Sequence, residues 1–406
     1  MYDVIIIGAG VAGLYAAYNI KRLSPSSTFL ILEKNGKHGL GGRAGNEMFC
    51  GTKVVTGAGI GRLKKDKFLY RLLKELSIKT TEFVTVEPHY STTINKSNIP
   101  KILVQLKKLL KEEDKPGTFK SFATKILGSK EYDQFLITSG YTDYENEDVH
   151  DVLYHYGMED NFTRYKGFHV AWKELVLKMV ETIGSDHIKF SYNVAAISKL
   201  SSQTFEIYKT GSEHFFSAKK VIIATTVSGI RTLLPDLNIY KEIEGQPFLR
   251  VYGKFDKKST TIMNQFIKGT TIVPGHLQKI IPIDSDKGIF MIAYSDNKHA
   301  LFLKTHLEND EQNRHYFCRI VEKCLGIPRD SLKLITMKSF YWDIGTHYYK
   351  PLDINRIHKT RAEFIDDAQH PVKDVLVVGE VVSLQQGWTE GALESVQATV
   401  TKKWLE

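Results

Sequence analysis

Residues suited to phosphate chemistry open the chain, and residues suited to aromatic contact close it. Gly8, Gly10 and Gly13 stand directly after an apolar run at residues 3–7 and at the head of a helix-forming run at 11–23. In that pattern the first glycine permits a tight turn and the second lets the backbone approach a pyrophosphate. The third lets helix and strand pack closely. The free N–H groups and positive dipole end of the helix would face the phosphates. Glu33, followed by Lys34, ends the next apolar run at 28–32. A carboxylate about twenty residues past the last glycine can accept from a ribose hydroxyl and opposes a 2′-phosphate, so NAD or FAD fits better than NADP. Near the other end, "GEVVSLQQGWTEGALES" places Gly387 and Trp388 before a helix-forming run. A helix beginning near Thr389 would aim its unpaired N–H groups at whatever Trp388 abuts.

Between these ends, "GLGGRAGN" offers Gly39, Gly41 and Gly42 for close backbone approach and Arg43 for a second phosphate oxygen. With this loop in place, the sequence resembles the flavin-containing amine oxidase superfamily, which includes monoamine, polyamine and L-amino-acid oxidases. Four further stretches resemble family motifs in the family's order. "VVTGAGIGRLKKDKFLYRLLKEL" is similar to the segment beside the flavin ring, which implies Gly59 and Ile60 there. "NVAAISKL" is similar to the strand that touches adenine, which implies Val194. "AKKVIIATTVSGI" resembles the strand returning to the dinucleotide domain. "VLVVGEVVSLQQGWTEGALESV" resembles the closing motif, in which Gly379 and Glu380 meet the ribityl-phosphate part and Gly387, Trp388 and Thr389 meet the ring.

The resemblance implies a Rossmann-type FAD-binding domain of α/β class interwoven with an α+β substrate domain. It implies an FAD-dependent oxidase, moving a hydride from a carbon–nitrogen bond to flavin N5 and giving an imine and hydrogen peroxide, with dioxygen as acceptor. The substrate would be an amine or amino acid. Trp388 would be half of an aromatic cage, with Tyr348 the candidate second wall among Trp342, Tyr348 and Tyr349. The cysteine that carries covalent flavin in some members is missing from this region, which implies non-covalent FAD. The strand "LRVYGKFD" places Arg250 where many members have a lysine, and arginine is bulkier and does not deprotonate. Arg62 is the candidate grip for a substrate carboxylate.

The elements that must position these residues read as two units, each made of several segments. Residues 1–80, 165–245 and 353–406 are expected to form the FAD domain, and 81–164 and 246–352 the substrate domain. The first stretch of the latter reads as helical and aromatic-rich, ending in the polar "TDYENEDVHD". The second reads as short strands around one helix near 311–325. In "KILVQLKKLLKEEDKPG", Ile102, Leu106 and Leu109 are expected on one helical face with lysines opposite.

The net charge of +9 is spread over many segments, so a solvated surface is expected rather than nucleic-acid binding. Three cysteines, Cys50, Cys318 and Cys324, are too few for a disulfide framework, and no metal site is expected. A strand at the second residue, apolar runs too short to span a bilayer and no tail anchor point to a cytoplasmic protein. Two other readings stay open at this stage. One is a dehydrogenase or desaturase of the same fold with poor oxygen use, and the other is a non-catalytic FAD-bearing interaction protein with a basic surface.

Overall fold

The computed structural model describes residues 1–110, 117–200, 204–352 and 358–406. Strand Tyr2–Ile7 leads through the glycine turn into helix Val11–Leu23 and back into strand Phe29–Leu32, parallel to the first. Phe215–Ile223 pairs with the other side of the opening strand, Val375–Val377 lies beyond it, and Ile188–Lys189 extends the opposite edge, all parallel. An antiparallel excursion, Val194–Lys199 and Phe205–Lys209, completes this seven-stranded sheet against the start of the long strand.

Alternation along the opening strand feeds two cores. Val4 and Ile6 pack with Leu14, Trp172, Met179 and Leu393 on one face, under helices Val11–Leu23, Trp172–Ile183 and Thr389–Thr399. Ile5 and Ile7 pack with Ile230, Tyr240, Tyr349 and Phe364 on the other. A parallel sheet covered on both faces needs strands that are apolar throughout, which "VIII" and "VIIA" supply.

The second sheet runs in the order Leu334–Tyr349, Ile243–Phe255, Ile289–Asp296, Lys279–Asp284, Thr271–Ile272 and His89–Tyr90. Two of its strands are long, with 16 residues in Leu334–Tyr349 and 13 in Ile243–Phe255. The expectation of short strands is therefore corrected. The two long strands run through Gly245, Pro247 and Gly345, and the ladder passes Pro247 through a register shift between Gln246 and Phe248. A strand proline is tolerated where the ladder is already irregular. Two more helices, Lys257–Phe266 and Asn297–Leu303, join Glu311–Leu325 around this sheet.

Helices Ile99–Leu109, Phe119–Leu127, Ser129–Ser139 and Val149–Tyr154 enclose an aromatic core of Phe119, Phe135 and Tyr144. Leu109 does not share the buried face expected of it: it is 45% exposed, while Ile99, Ile102, Leu103 and Leu106 are buried. The end of that lysine-rich segment, residues 111–116, and the expected domain boundary at 353 lie outside the described residues. The polar stretch at 142–151 is largely buried, with Asp148 accepting from the first-turn N–H groups of its helix and Arg361 paired with Asp151 at 2.7 Å. No helix among the described residues is long and apolar enough to cross a membrane. Cys318 and Cys324 are buried, and burial pushes both thiols up to about 11.

Candidate functional site

A cavity of about 2030 Å³ runs between the two sheets. Pockets for single drug-sized molecules reach about 1,000 Å³, so this one has room for a dinucleotide and a second small molecule. Its wall takes in Gly8, Gly10, Glu33, Lys34, Gly42, Arg43, Gly59, Ile60 and Val194. From the chain's end it takes in Gly379, Glu380, Gly387, Trp388 and Thr389, and Arg62 and Arg250 also line it.

The glycine turn meets the geometry a pyrophosphate needs. Gly8 has φ +108°, and a Cβ there would meet Ala224 O at 2.5 Å. At Gly13 a Cβ would stand 1.9 Å from Gly8 O, so the helix could not seat on the turn; Gly13 itself does not line the cavity. At Gly10 nothing lies within 4 Å, which leaves the backbone open to a ligand. The helix that follows has no side-chain cap. Glu33 accepts from Ala9 N–H and Asn35 N–H, each at 2.9 Å, one on each oxygen, leaving further lone pairs on both.

Arg43 and Glu380 tie the second glycine loop to the closing motif. Arg43 Nη1 lies 2.7 Å from Glu380 Oε1 and donates to Gly345 O at 2.9 Å. Glu380 also accepts from Gly387 N–H at 2.8 Å and makes a short contact with His347 Nδ1. His347 Nε2 accepts from Val227 N–H, which leaves Nδ1 as the protonated nitrogen facing Glu380. Burial alone would raise the Glu380 carboxyl; His347, Arg43 and Gly387 N–H outweigh it and hold the group well below the usual carboxylate range.

The segment 55–59 is held by its carbonyls. Tyr252 OH donates to Val55 O at 2.7 Å, Trp342 Nε1 to Thr56 O at 3.0 Å, Arg250 Nε to Gly57 O at 2.9 Å and Trp172 Nε1 to Gly59 O at 2.9 Å. Each donor comes from another element, so the path of this loop along the cavity is fixed from behind. Trp388 stands edge-on to Trp172, with ring centroids 6.0 Å apart at 87°. Its buried indole Nε1 reaches no acceptor at hydrogen-bond geometry, although the Asp66 carboxylate lies beside it. Glu390, the second residue of the closing helix, accepts from Phe68 and Leu69 N–H at 2.7 and 2.9 Å and so joins that helix to Lys67–Glu75.

One expected residue stands outside the cavity, and another lies within it with its charge engaged. Tyr348 does not line the cavity: it lies opposite Glu244 in the ladder, past Thr346, and near Glu147 and Asn146. Arg62 lines the cavity, yet its Nη1 is 2.7 Å from Asp160 Oδ2 and its charge is already paired. The aromatic wall is made instead by Tyr141, Phe248, Tyr294 and Trp342, with Asp143 and Lys279 among them. Of these only Trp342 stood out in the sequence. The others carry no motif, because their meeting depends on pairing between distant strands and a loop.

Residues 6–76 match the model for an NAD(P)-binding Rossmann-like domain. Cyclohexylamine oxidase from Brevibacterium oxydans superposes with a TM-score of 0.75 at 14% identity, covering 98% of both chains. Wild-type putrescine oxidase with putrescine bound gives 0.74 at 14% identity, again over 98% of both. An uncharacterised protein of Acanthamoeba polyphaga mimivirus is 21% identical over 98% of this chain and 93% of its own length. The chain has the fold of the flavin-dependent amine oxidases, a Rossmann-type α/β unit interwoven with a second sheet.

Proposed function

We propose that the protein binds FAD non-covalently and oxidises a carbon–nitrogen bond of a small amine or amino acid. The observation that supports this most is the convergence of the Gly8–Gly13 turn, the Arg43–Glu380 tie and Trp388 on one cavity, within this fold. None of the three cysteines lines that cavity, in keeping with an unlinked cofactor. Gly8, Gly10 and the helix start receive the pyrophosphate, Glu33 the ribose with Lys34 beside it, and Val194 the adenine. Gly42 and the nitrogens of Arg43 not spent on Glu380 serve the second phosphate. Gly379 and Glu380 lie along the ribityl chain, and Gly59, Ile60, Gly387, Trp388 and Thr389 along the ring. The division into 1–80, 165–245 and 353–406 against 81–164 and 246–352 belongs to the same proposal.

Bound there, FAD supplies a hydride acceptor and passes the electrons to dioxygen, so that amine, dioxygen and water become carbonyl compound, ammonia and hydrogen peroxide. The chain's own part is positional and electrostatic. Trp388 holds a neutral amine against the wall. The uncapped start of helix Thr389–Thr399 favours negative charge developing in front of it. The buried aromatic wall excludes water from the reacting carbon.

Purified protein should be yellow, should bleach anaerobically with a member of an amine and amino-acid panel, and should release hydrogen peroxide in air. A colourless chain that takes up no added FAD would sink the reading. A dehydrogenase using another acceptor is the second reading, favoured by Arg250, which is 6% exposed and sits on the strand expected to hold a lysine. Bleaching without peroxide would select it.

A further inference from the structure

We propose that Lys279 and Arg250 together bind a carboxylate on the substrate, so that the amine oxidised here is an amino-carboxylate rather than a diamine. This rests on the flavin-oxidase reading and names the substrate class of the same site.

Lys279 opens the strand Lys279–Asp284, lines the cavity and is 4% exposed, and its Nζ has no hydrogen-bond partner. A buried ammonium or amine with no partner costs free energy that a ligand acceptor would recover. Arg250, on the neighbouring long strand, also lines the cavity. Its guanidinium carbon lies 4.3 Å from the centre of the Tyr294 ring, and Lys279 Nζ lies 4.8 Å from that same centre. Lys279 also stands on the ring of Tyr141. Among the described residues neither cation has a carboxylate within ion-pair distance.

The acids that face Lys279 are otherwise engaged. Asp296 accepts from Thr142 N–H and Oγ1 and from Gln278 Nε2. Asp143 accepts from Tyr156 OH at 2.5 Å, and burial, with Asp296 nearby, pushes its carboxyl up to about 7. Two basic groups on one aromatic ring form an anion site, in which Arg250 carries its charge and the Lys279 amine takes one up as the anion enters. A diamine's second ammonium would meet the Arg250 guanidinium there.

Burial, reinforced by Arg250 and opposed by Asp296 and Asp143, holds the Lys279 ammonium well below its ordinary value. A bound carboxylate restores the charge, so binding takes up a proton and weakens as pH rises. Benzoate is the probe, titrated calorimetrically into the FAD-loaded protein in two buffers of different ionisation heat. We expect proton uptake on binding, and tighter binding of benzoate than of benzamide. Lys279→Met should weaken benzoate at least tenfold and, in an Asp143→Asn background that removes the neighbouring titratable acid, abolish the uptake, while Asp143→Asn alone should leave uptake in place. Equal affinity for benzoate and benzamide in the unmodified protein, or uptake that survives Lys279→Met in the Asp143→Asn background, would overturn the proposal. If the chain took up no FAD, the oxidase reading would fail separately, and benzoate titration of the flavin-free chain would still decide this one.

Discussion

The cavity has two walls built from different material. One is backbone: glycine turns at Gly8–Gly13 and Gly39–Gly42, two helix starts, and a loop whose carbonyls are pinned from behind. The other is side chain: Tyr141, Phe248, Tyr294 and Trp342 around Lys279, Arg250 and Asp143. A backbone wall suits a ligand that does not change, because its N–H groups and dipoles are the same whatever the neighbours. A side-chain wall suits a ligand that varies between relatives, since single substitutions remake it. Under the proposed function, cofactor and substrate would divide along the line between the two walls.

The largest expected effect lies on the backbone wall. Glu380→Ala would leave Arg43 and His347 without their buried carboxylate and Gly387 N–H without its acceptor. Breaking a buried pair by removing one partner costs about 3–5 kcal/mol. Thermal unfolding should move accordingly, and flavin retained after gel filtration should fall sharply. Glu380→Gln, which keeps an acceptor oxygen, should lose less. Unchanged flavin retention in both variants would show that the closing motif does not serve the cofactor.

The same contrast governs how much was legible in the sequence. Gly8, Gly10, Gly13 and Glu33 could be placed because conformation and close approach tie glycine to fixed spacings along one strand–turn–helix. The opening helix at Val11–Leu23 and the later one at Glu311–Leu325 were expected where they stand. Tyr348 is outside the wall because the cavity ends at Thr346 along this strand, a limit set by the packing of distant elements that no local pattern reveals. Lys279, Tyr141 and Asp143 were missed because a loop and a strand far apart in sequence bring them together. The acids in "TDYENEDVHD" read only as polar in sequence, because the groups that let Asp151 and Asp143 be buried, Arg361 and the Tyr156 hydroxyl, come from other segments.

Trp388 stands where the walls meet, and it sharpens the comparison. Trp388→Ala removes the ring beside Trp172 but none of the hydrogen bonds that hold the 55–59 segment. We expect FAD content to be kept and turnover to fall about a hundredfold, the cost of a substrate no longer held in register. Steady-state rates and flavin absorbance measured on one preparation separate the two. Loss of flavin in step with rate would place Trp388 in cofactor binding instead.

Titration divides the walls more gently. Glu380 is held well below the carboxylate range, so it stays ionised from weakly acidic pH upward and flavin retention should be flat there. Asp143, pushed up to about 7 by burial and by Asp296, is mostly protonated below that pH and ionised above it. A cationic ligand should therefore bind more tightly as pH rises through about 7, and the dependence should weaken in Asp143→Asn, as read by flavin difference spectra. A pH-dependent flavin content with pH-independent ligand affinity would reverse the assignment of the two walls.

The smallest effect tests where the side-chain wall ends. Tyr348 lies one residue from His347, which reaches Glu380, yet it faces Glu244, Glu147 and Asn146 rather than the cavity. Tyr348→Phe removes only a hydroxyl on that outward side, and substitutions away from special features usually stay within about 0.5 kcal/mol. Unfolding temperature, flavin content and turnover should all match those of the unmodified protein. A turnover defect with normal stability would mean that the wall extends along this strand beyond Thr346, which lines the cavity, to take in Tyr348.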